Sequence, residues 1–163
     1  MERPASNFNT KLERSGRLKL LQRANKAEYL VDANIFLELQ LGQQKADICE
    51  KVLRKFSVGE LEGLLVDFAI DTIVIVMENY GKGANEIRTF LSSLVGYKGL
   101  SIHFSSLIDR IMATNHMRDY GLDFDDALTL QAMKENRIDK IISYDKDFEK
   151  VPFIKRVQPE NLL

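Results

Sequence analysis

Short apolar runs alternate along the chain with longer segments in which apolar residues recur every three or four positions. The short runs predict buried strands, and there are four of them: EYLVD from Glu28, LSIHF from Leu100, DKIISY from Asp139 and FIKRV from Phe153. The longer segments predict amphipathic helices. Strands separated by helices favour parallel pairing through crossover connections, so the pattern predicts an α/β domain with a parallel sheet.

The helical segments carry recognisable start and stop signals. The first runs from Asn34 to Phe56 with a break at Gly42, and the stretch VGELEGLLV leads into the next, which Asp67 is placed to cap. Three more follow: Asn85 to Val95, a helix capped by Ser105 or Ser106, and DFDDALTLQAMKEN. The acids that open the last of these suit the positive end of a helix dipole.

The charge is distributed unevenly. The chain has 163 residues, 45% apolar and 29% charged, which fits one folded domain. Its net charge is only −1, but residues 1–28 contain seven Lys or Arg against three Glu, a surplus of four positive charges, which leaves −5 on the rest. We therefore expect a basic N-terminal extension over residues 1–27 and a domain over 28–163. The extension is either a solvated, partly helical arm or a basic contact to RNA phosphate or a partner protein.

Several function classes find little support. The single Cys49 excludes an intramolecular disulfide and a cysteine-rich zinc site. His103 and His116 lack partners at metal-ligand spacing, and no Ser lies in a nucleophile-elbow sequence. No apolar run has the length of a membrane-spanning helix and no signal peptide is recognisable, so we expect a cytosolic protein without a membrane partner.

Acidic residues recur where predicted strands give way to turns or helices. Asp32 ends the first strand, Asp145 and Asp147 follow IISY, and Asp126 lies in the first turn of a helix. Sites in open α/β sheets form at the carboxyl ends of strands, and carboxylates gathered there suit Mg²⁺. Each acid also has an ordinary alternative, as a helix cap or in an Asx turn. Such a magnesium site points to phosphate chemistry.

The ordered set YLVDANIFLE, GLDFDDALTL and IISYDKDFEKV, followed by IKRVQP, resembles the PIN domain family, which includes VapC-type ribonuclease toxins. The resemblance covers about Tyr29 to Pro159. It implies an α/β/α fold with a parallel sheet, an acidic cleft that binds Mg²⁺ or Mn²⁺, and hydrolysis of RNA phosphodiester bonds. It also implies a possible antitoxin protein as partner and a homodimer, for which apolar residues on the helices between Ile35 and Met77 are the supporting feature.

The resemblance assigns roles residue by residue. Asp32, Asp126 and Asp145 match the family's first, third and fourth acids and would be both catalytic and metal-binding. Asp147 matches an additional acid near the fourth, and Asn34 matches a polar residue beside the first.

The family's second acid, a Glu, aligns with Thr72 in this chain. Thr72 would then orient water or phosphate, or the adjacent Asp71 would replace the missing ligand. The leading interpretation is a metal-dependent ribonuclease, plausible as the toxin of a toxin–antitoxin pair. The alternatives are a weakly active or inactive PIN-like module that binds RNA or protein, and a metal-dependent phosphatase on a similar scaffold.

Overall fold

A computed structural model describes residues 27–163 of the chain. The predicted basic extension therefore lies almost wholly outside the described residues. The boundary between extension and domain remains a prediction.

The described residues form a five-stranded sheet in the order β3-β2-β1-β4-β5, and each pair of neighbouring strands is parallel. The strands are β1 (Tyr29–Val31), β2 (Gly63–Val66), β3 (Leu100–His103), β4 (Lys140–Ile142) and β5 (Lys155–Val157). The predicted α/β class with a parallel sheet is confirmed.

Six α-helices connect or follow these strands in residues 27–163. They are α1 (Ala33–Gln40), α2 (Ala46–Val58), α3 (Asp67–Asn79), α4 (Ala84–Gly96), α5 (Leu107–Tyr120) and α6 (Phe124–Glu135). Two 3-10 helices follow β4 and β5, at Lys146–Lys150 and Pro159–Leu162. The predicted break at Gly42 separates α1 from α2, and Gly42 has a φ of +61°, which a glycine adopts without strain.

The two faces of the sheet are covered by different helices. Successive side chains of a strand point to opposite faces. Accordingly Tyr29 and Val31 pack in a core with residues of α1 to α4, whereas Leu30 packs on the opposite face with Ala132 and Met133 of α6. A third cluster joins α5 to α6 on that second side. These layers make the α/β/α arrangement that the family resemblance implies.

Two sequence interpretations are corrected by the fold. The run GLLV is strand β2, with all four residues buried, and is not merely the approach to a helix. Asp67 is the first residue of α3 and makes no capping bond deeper in that helix. Its Oδ1 instead accepts hydrogen bonds from the N–H of Phe68 at 2.9 Å and of Ser105 at 3.2 Å, which joins α3 to the loop before α5.

No helix within residues 27–163 is long and apolar enough to cross a membrane.

Candidate metal centre

The sheet reverses its strand order at β1, and the acidic residues gather there. From β1 the chain adds β2 and β3 on one side, then returns to place β4 and β5 on the other. The carboxyl ends of β1 and β4 lie side by side, since Val31 pairs with Ile142. Ligand sites in open parallel sheets form at such switch points. Asp32 directly follows β1, and Asp145 lies three residues after Ile142.

Three carboxyl groups come together at this position. Asp126, Asp145 and Asp147 each offer an oxygen, and these oxygens all lie within 4.8 Å of one another. Asp126 is only 9% exposed, and its Oδ2 is buried without a hydrogen-bond partner. A buried carboxylate oxygen with no donor is costly unless a cation or a proton satisfies it.

Local capping interactions place these three side chains. Asp123 is the N-cap of α6, and its Oδ1 accepts a hydrogen bond from the Asp126 N–H at 3.0 Å, which sets Asp126 in the first turn. Asp145 caps the 3-10 helix in the same way and accepts from the Asp147 N–H at 2.8 Å. The capping role and the place in the acidic group are therefore compatible for Asp145.

Asp32 adjoins the group through a polar network of its own. Its Oδ2 accepts hydrogen bonds from Ser143 Oγ and, at 2.7 Å, from Asn34 Nδ2. Ser143 Oγ also accepts from Asn34 Nδ2 at 3.1 Å and from the Asp145 N–H at 2.9 Å. Ser143, which is fully buried, thus connects Asp32, Asn34 and the backbone of Asp145.

Sequence reasoning missed Ser143. The feature of the sequence that could have indicated it is a hydroxyl residue immediately after the run KII, one position before Tyr144.

Burial and mutual repulsion raise the proton affinity of two of these acids. The pKa of Asp126 rises to about 7, first because burial disfavours its charged form and then because Asp123, Asp145, Asp32 and Asp147 are nearby. Burial also raises the pKa of Asp32 to about 6, against the opposing effect of the Ser143 hydrogen bond. Positive charge at this position would relieve the penalty on both groups.

Thr72 and Asp71 lie on α3, outside the three-carboxylate group. Thr72 is half-buried and follows Phe68 by four residues, one helical turn. The ring of Phe68 meets that of Phe124 edge-on at 6.2 Å, and Phe124 lies two residues before Asp126. Phe68, one helical turn before Thr72, thus contacts the start of α6. Asp71 is exposed.

The residues present fit a hard divalent cation. Three carboxylates with one unsatisfied buried oxygen form an all-oxygen donor set, which Mg²⁺ and Mn²⁺ prefer. The roles predicted for Asp32, Asp126, Asp145, Asp147, Asn34, Thr72 and Asp71 remain predictions.

A second group in the described part of the chain, His103, Asp109 and Glu135, also brings three possible ligand atoms together, but contacts within the protein involve all three residues. Asn136 Nδ2 donates to the Ala132 carbonyl at 2.8 Å and to His103 Nδ1 at 3.1 Å, so Nε2 carries the ring proton. This Nε2 faces Glu135 Oε2 at 3.5 Å. A hydrogen bond between the two carboxyl groups lowers the pKa of Asp109 and raises that of Glu135. The group is a polar link between β3, α5 and α6.

Solved structures with the same fold include a bacterial toxin and a chain of a bacterial toxin–antitoxin complex. VapC20 of Mycobacterium tuberculosis, described as a Sarcin-Ricin loop cleaving toxin, superposes with a TM-score of 0.64 at 13% identity, covering 80% of this chain and 99% of that one. A chain of a toxin–antitoxin complex from Klebsiella pneumoniae gives 0.59 at 20% identity, covering 80% and 97%. At these identities the likeness shows the fold.

Comparison with curated protein sequences gives no significant match. The family model of the PIN domain, however, matches residues 29–154, which include the five acids predicted for the site, at positions 32, 71, 126, 145 and 147. The chain therefore belongs to the PIN domain family.

Proposed function

We propose that the protein is a Mg²⁺- or Mn²⁺-dependent endoribonuclease that hydrolyses RNA phosphodiester bonds, and that it acts in the cytoplasm as the toxin of a toxin–antitoxin pair. The observation that carries the proposal is the meeting of Asp126, Asp145 and Asp147 at the strand switch point, with Asp126 Oδ2 buried and unsatisfied. The PIN family membership supports it, as do the toxin and the chain of a toxin–antitoxin complex that share the fold.

Each residue of the site has a role in this proposal. Asp126, Asp145 and Asp147 hold the cation, and Asp32 adds negative charge from the neighbouring strand end. A bound cation would supply positive charge to phosphate oxygens and lower the pKa of a water molecule. Asn34 Nδ2 is fixed by Asp32 and Ser143, and its Oδ1 is buried without a partner, so in this proposal it would accept a hydrogen bond from a water molecule held in the site.

The second acid of the family motif has two candidates in this chain. Thr72 supplies a half-buried hydroxyl one helical turn after Phe68, which contacts the start of α6, and there it would hold water or phosphate. Asp71 supplies a carboxylate, but from the exposed side of the helix. We favour Thr72 as the residue at the cleft. The alternative function, a weakly active or inactive module that binds RNA or protein, follows from the same substitution of Glu by Thr.

We also propose an antitoxin protein and a second copy of this chain as partners. The related Klebsiella chain was solved as a toxin–antitoxin complex. The apolar residues between Ile35 and Met77, which supported the homodimer prediction, are mostly buried in the core.

The surface that we propose for the homodimer is instead an apolar stripe on and just before α5, whose residues are 44% to 72% exposed. It consists of Phe104, Leu107, Ile108, Ile111 and Met112.

The test combines metal binding with RNA cleavage. The wild type should bind Mn²⁺ in calorimetry and cleave RNA only when the metal is present. Asp145→Asn should reduce cleavage by several orders of magnitude, because removing a charge that holds the cation costs several kcal/mol at the transition state. The control Asp47→Asn, at an exposed acid of α2, should leave both properties unchanged.

The outcomes separate the alternatives. Mn²⁺ or RNA binding without cleavage favours the inactive binding module. Hydrolysis of small phosphate esters without RNA cleavage favours the phosphatase. Cleavage by Asp145→Asn at the wild-type rate contradicts the assignment of the site.

A further inference from the structure

Arg156 on β5 contacts both ends of the segment that carries Asp145 and Asp147. Its Nε donates to Glu149 Oε1 at 2.9 Å, and its Nη2 contacts the same oxygen. Its Nη1 donates to the backbone carbonyl of Ser143 at 3.3 Å. Ser143 precedes the two acids and Glu149 follows them, so one guanidinium spans the whole acidic segment.

Arg156 contacts the segment from its buried side, since the Arg156 side chain is only 11% exposed. The backbone of β5 holds Ser143 as well, because the Ser143 N–H donates to the Val157 carbonyl at 3.2 Å. Ser143 is therefore held from β5 at both its N–H and its carbonyl, while its hydroxyl binds Asp32 and the Asp145 N–H.

Arg156 touches none of the acids of the site, but through these contacts it fixes the segment on which Asp145 and Asp147 lie. Asp145 lies between the fixed peptide of Ser143 and the 3-10 helix that Glu149 anchors, and Asp147 is hydrogen-bonded to Asp145. If the Arg156 fork were lost, the 3-10 helix could move relative to β4, and the three carboxylates would no longer be held together. A lysine keeps the charge but, as a compact ammonium, does not reproduce the planar fork that reaches both partners.

Resting on the proposed function, we propose that Arg156 and Glu149 form a clamp that positions Asp145 and Asp147 for divalent metal binding. Arg156 is a positioning residue in this view, acting through Ser143 and the 3-10 helix. Groups bonded directly to metal ligands typically change metal affinity by roughly 10–100-fold when they are substituted, and a clamp that acts through the adjoining residues should have an effect at the lower end of that range. A salt bridge with a merely structural role would change stability without that effect.

The chain offers a matched control in the Lys140–Glu28 pair, 2.6 Å apart, at the amino ends of β4 and β1, opposite to the ends that carry the acids. Its glutamate is 52% exposed, close to the 54% of Glu149. The full chain is compared with Arg156→Lys, Glu149→Gln and Glu28→Gln. Mn²⁺ affinity is measured by calorimetry, stability by thermal unfolding in chelator, and activity by RNA cleavage.

Arg156→Lys and Glu149→Gln should each weaken Mn²⁺ binding by roughly tenfold or more. Glu28→Gln should bind Mn²⁺ as the wild type does, even where its melting temperature falls as far as that of Glu149→Gln. Since Glu149 is itself exposed, its variant remains informative if Arg156→Lys folds poorly.

Wild-type Mn²⁺ affinity in both clamp variants overturns the clamp while leaving the proposed function intact. An equal loss of affinity in Glu28→Gln also overturns it, because the effect would then follow stability alone. Absence of Mn²⁺ binding by the wild type overturns the proposed function and the clamp together.

Discussion

Asp126 is the residue whose protonation should respond most to the metal. Its pKa in the folded protein is about 7, against an ordinary value of 3.8. The folded state binds this proton more tightly than the unfolded chain does. Protonation of Asp126 therefore stabilises the folded state fully below about pH 4, and this stabilisation is lost as the pH rises through 7. Asp32, with a pKa of about 6, contributes with the same sign.

In chelator we therefore expect the free energy of unfolding to be lower at pH 8 than at pH 5, by about 2–4 kcal/mol from these two acids. Asp126→Asn should lose most of this pH dependence, and Asp47→Asn should keep it. Denaturant unfolding at the two pH values measures the difference. Added Mn²⁺ should restore stability at pH 8 more than at pH 5, since it binds the deprotonated acids. A wild-type pH dependence in Asp126→Asn would contradict the assignment.

Thr72 gives a second prediction at this scale. If its side chain faces the cleft, Thr72→Glu adds the carboxylate that the family motif has there. The variant should be less stable than wild type in chelator, because a further negative charge joins an acidic site. It should also gain more stability from Mn²⁺, by roughly 1–3 kcal/mol for one added charged contact.

Melting curves with and without Mn²⁺ measure both effects, and Thr72→Gln serves as the uncharged control of nearly equal shape. An equal shift of the Glu variant in both conditions would show that Thr72 points elsewhere. Asp71→Asn, tested in the same way, would then report on the other candidate.

The acids could be predicted from the sequence because each directly follows a buried run or opens a helix. Asp32, Asp126 and Asp145 all do so, and the parallel order of the strands brings their positions to one edge. Ser143 was missed, because a hydroxyl after a strand does not reveal its three partners, which come from positions 32, 34 and 145 and meet only in the folded chain. The orphaned Asp126 Oδ2 likewise has no signature in the sequence.

At the scale of elements, strand β2 shows where periodicity fails. GLLV is buried on both faces and lacks the alternation of a half-exposed strand, and it runs directly into the apolar helix α3. Only its pairing with β1 and β3 distinguishes it from the start of that helix. The other four strands were separated from helices by turns or polar residues.

The junction between α2, β2 and β3 is tight enough to require a glycine. A Cβ on Gly99 would lie 1.9 Å from the Leu61 carbonyl oxygen and 3.0 Å from that of Phe56, and the Gly99 N–H donates to Phe56. We expect Gly99→Ala to lower the free energy of unfolding by about 2 kcal/mol or more, as overpacking against backbone does.

Gly96→Ala is the matched control, because a Cβ there meets nothing within 4 Å at the end of α4. It should be neutral or stabilising by up to about 1 kcal/mol. Equal stability of the two variants in denaturant unfolding would show that the chain near Gly99 has room to move.

At the scale of the whole molecule, the layered fold explains which apolar surface is left over. The helices α1 to α4 bury most of their apolar residues against one face of the sheet. In contrast, α5 packs on α6 through Ala113 and Met117 and leaves a row of large apolar side chains in solvent. Contiguous apolar surface of this kind on a folded domain commonly marks an interface. The sequence could not show this, because the same three-and-four spacing describes an inward and an outward apolar face equally well.

The homodimer hypothesis can therefore be tested with one substitution on the exposed apolar surface of α5 and one on α3. Ile108 on α5 is 65% exposed and Ile75 on α3 is 57% exposed, so both should accept Lys with little change in folding stability. In sedimentation velocity at micromolar concentration we expect a dimer for the wild type and for Ile75→Lys, and a monomer for Ile108→Lys, because the charge would be buried unpaired in the α5 interface. Dissociation by Ile75→Lys instead would place the interface on α3, among the helices that the sequence favoured. A monomeric wild type would contradict the dimer itself, without affecting the acidic site, whose residues lie outside both surfaces.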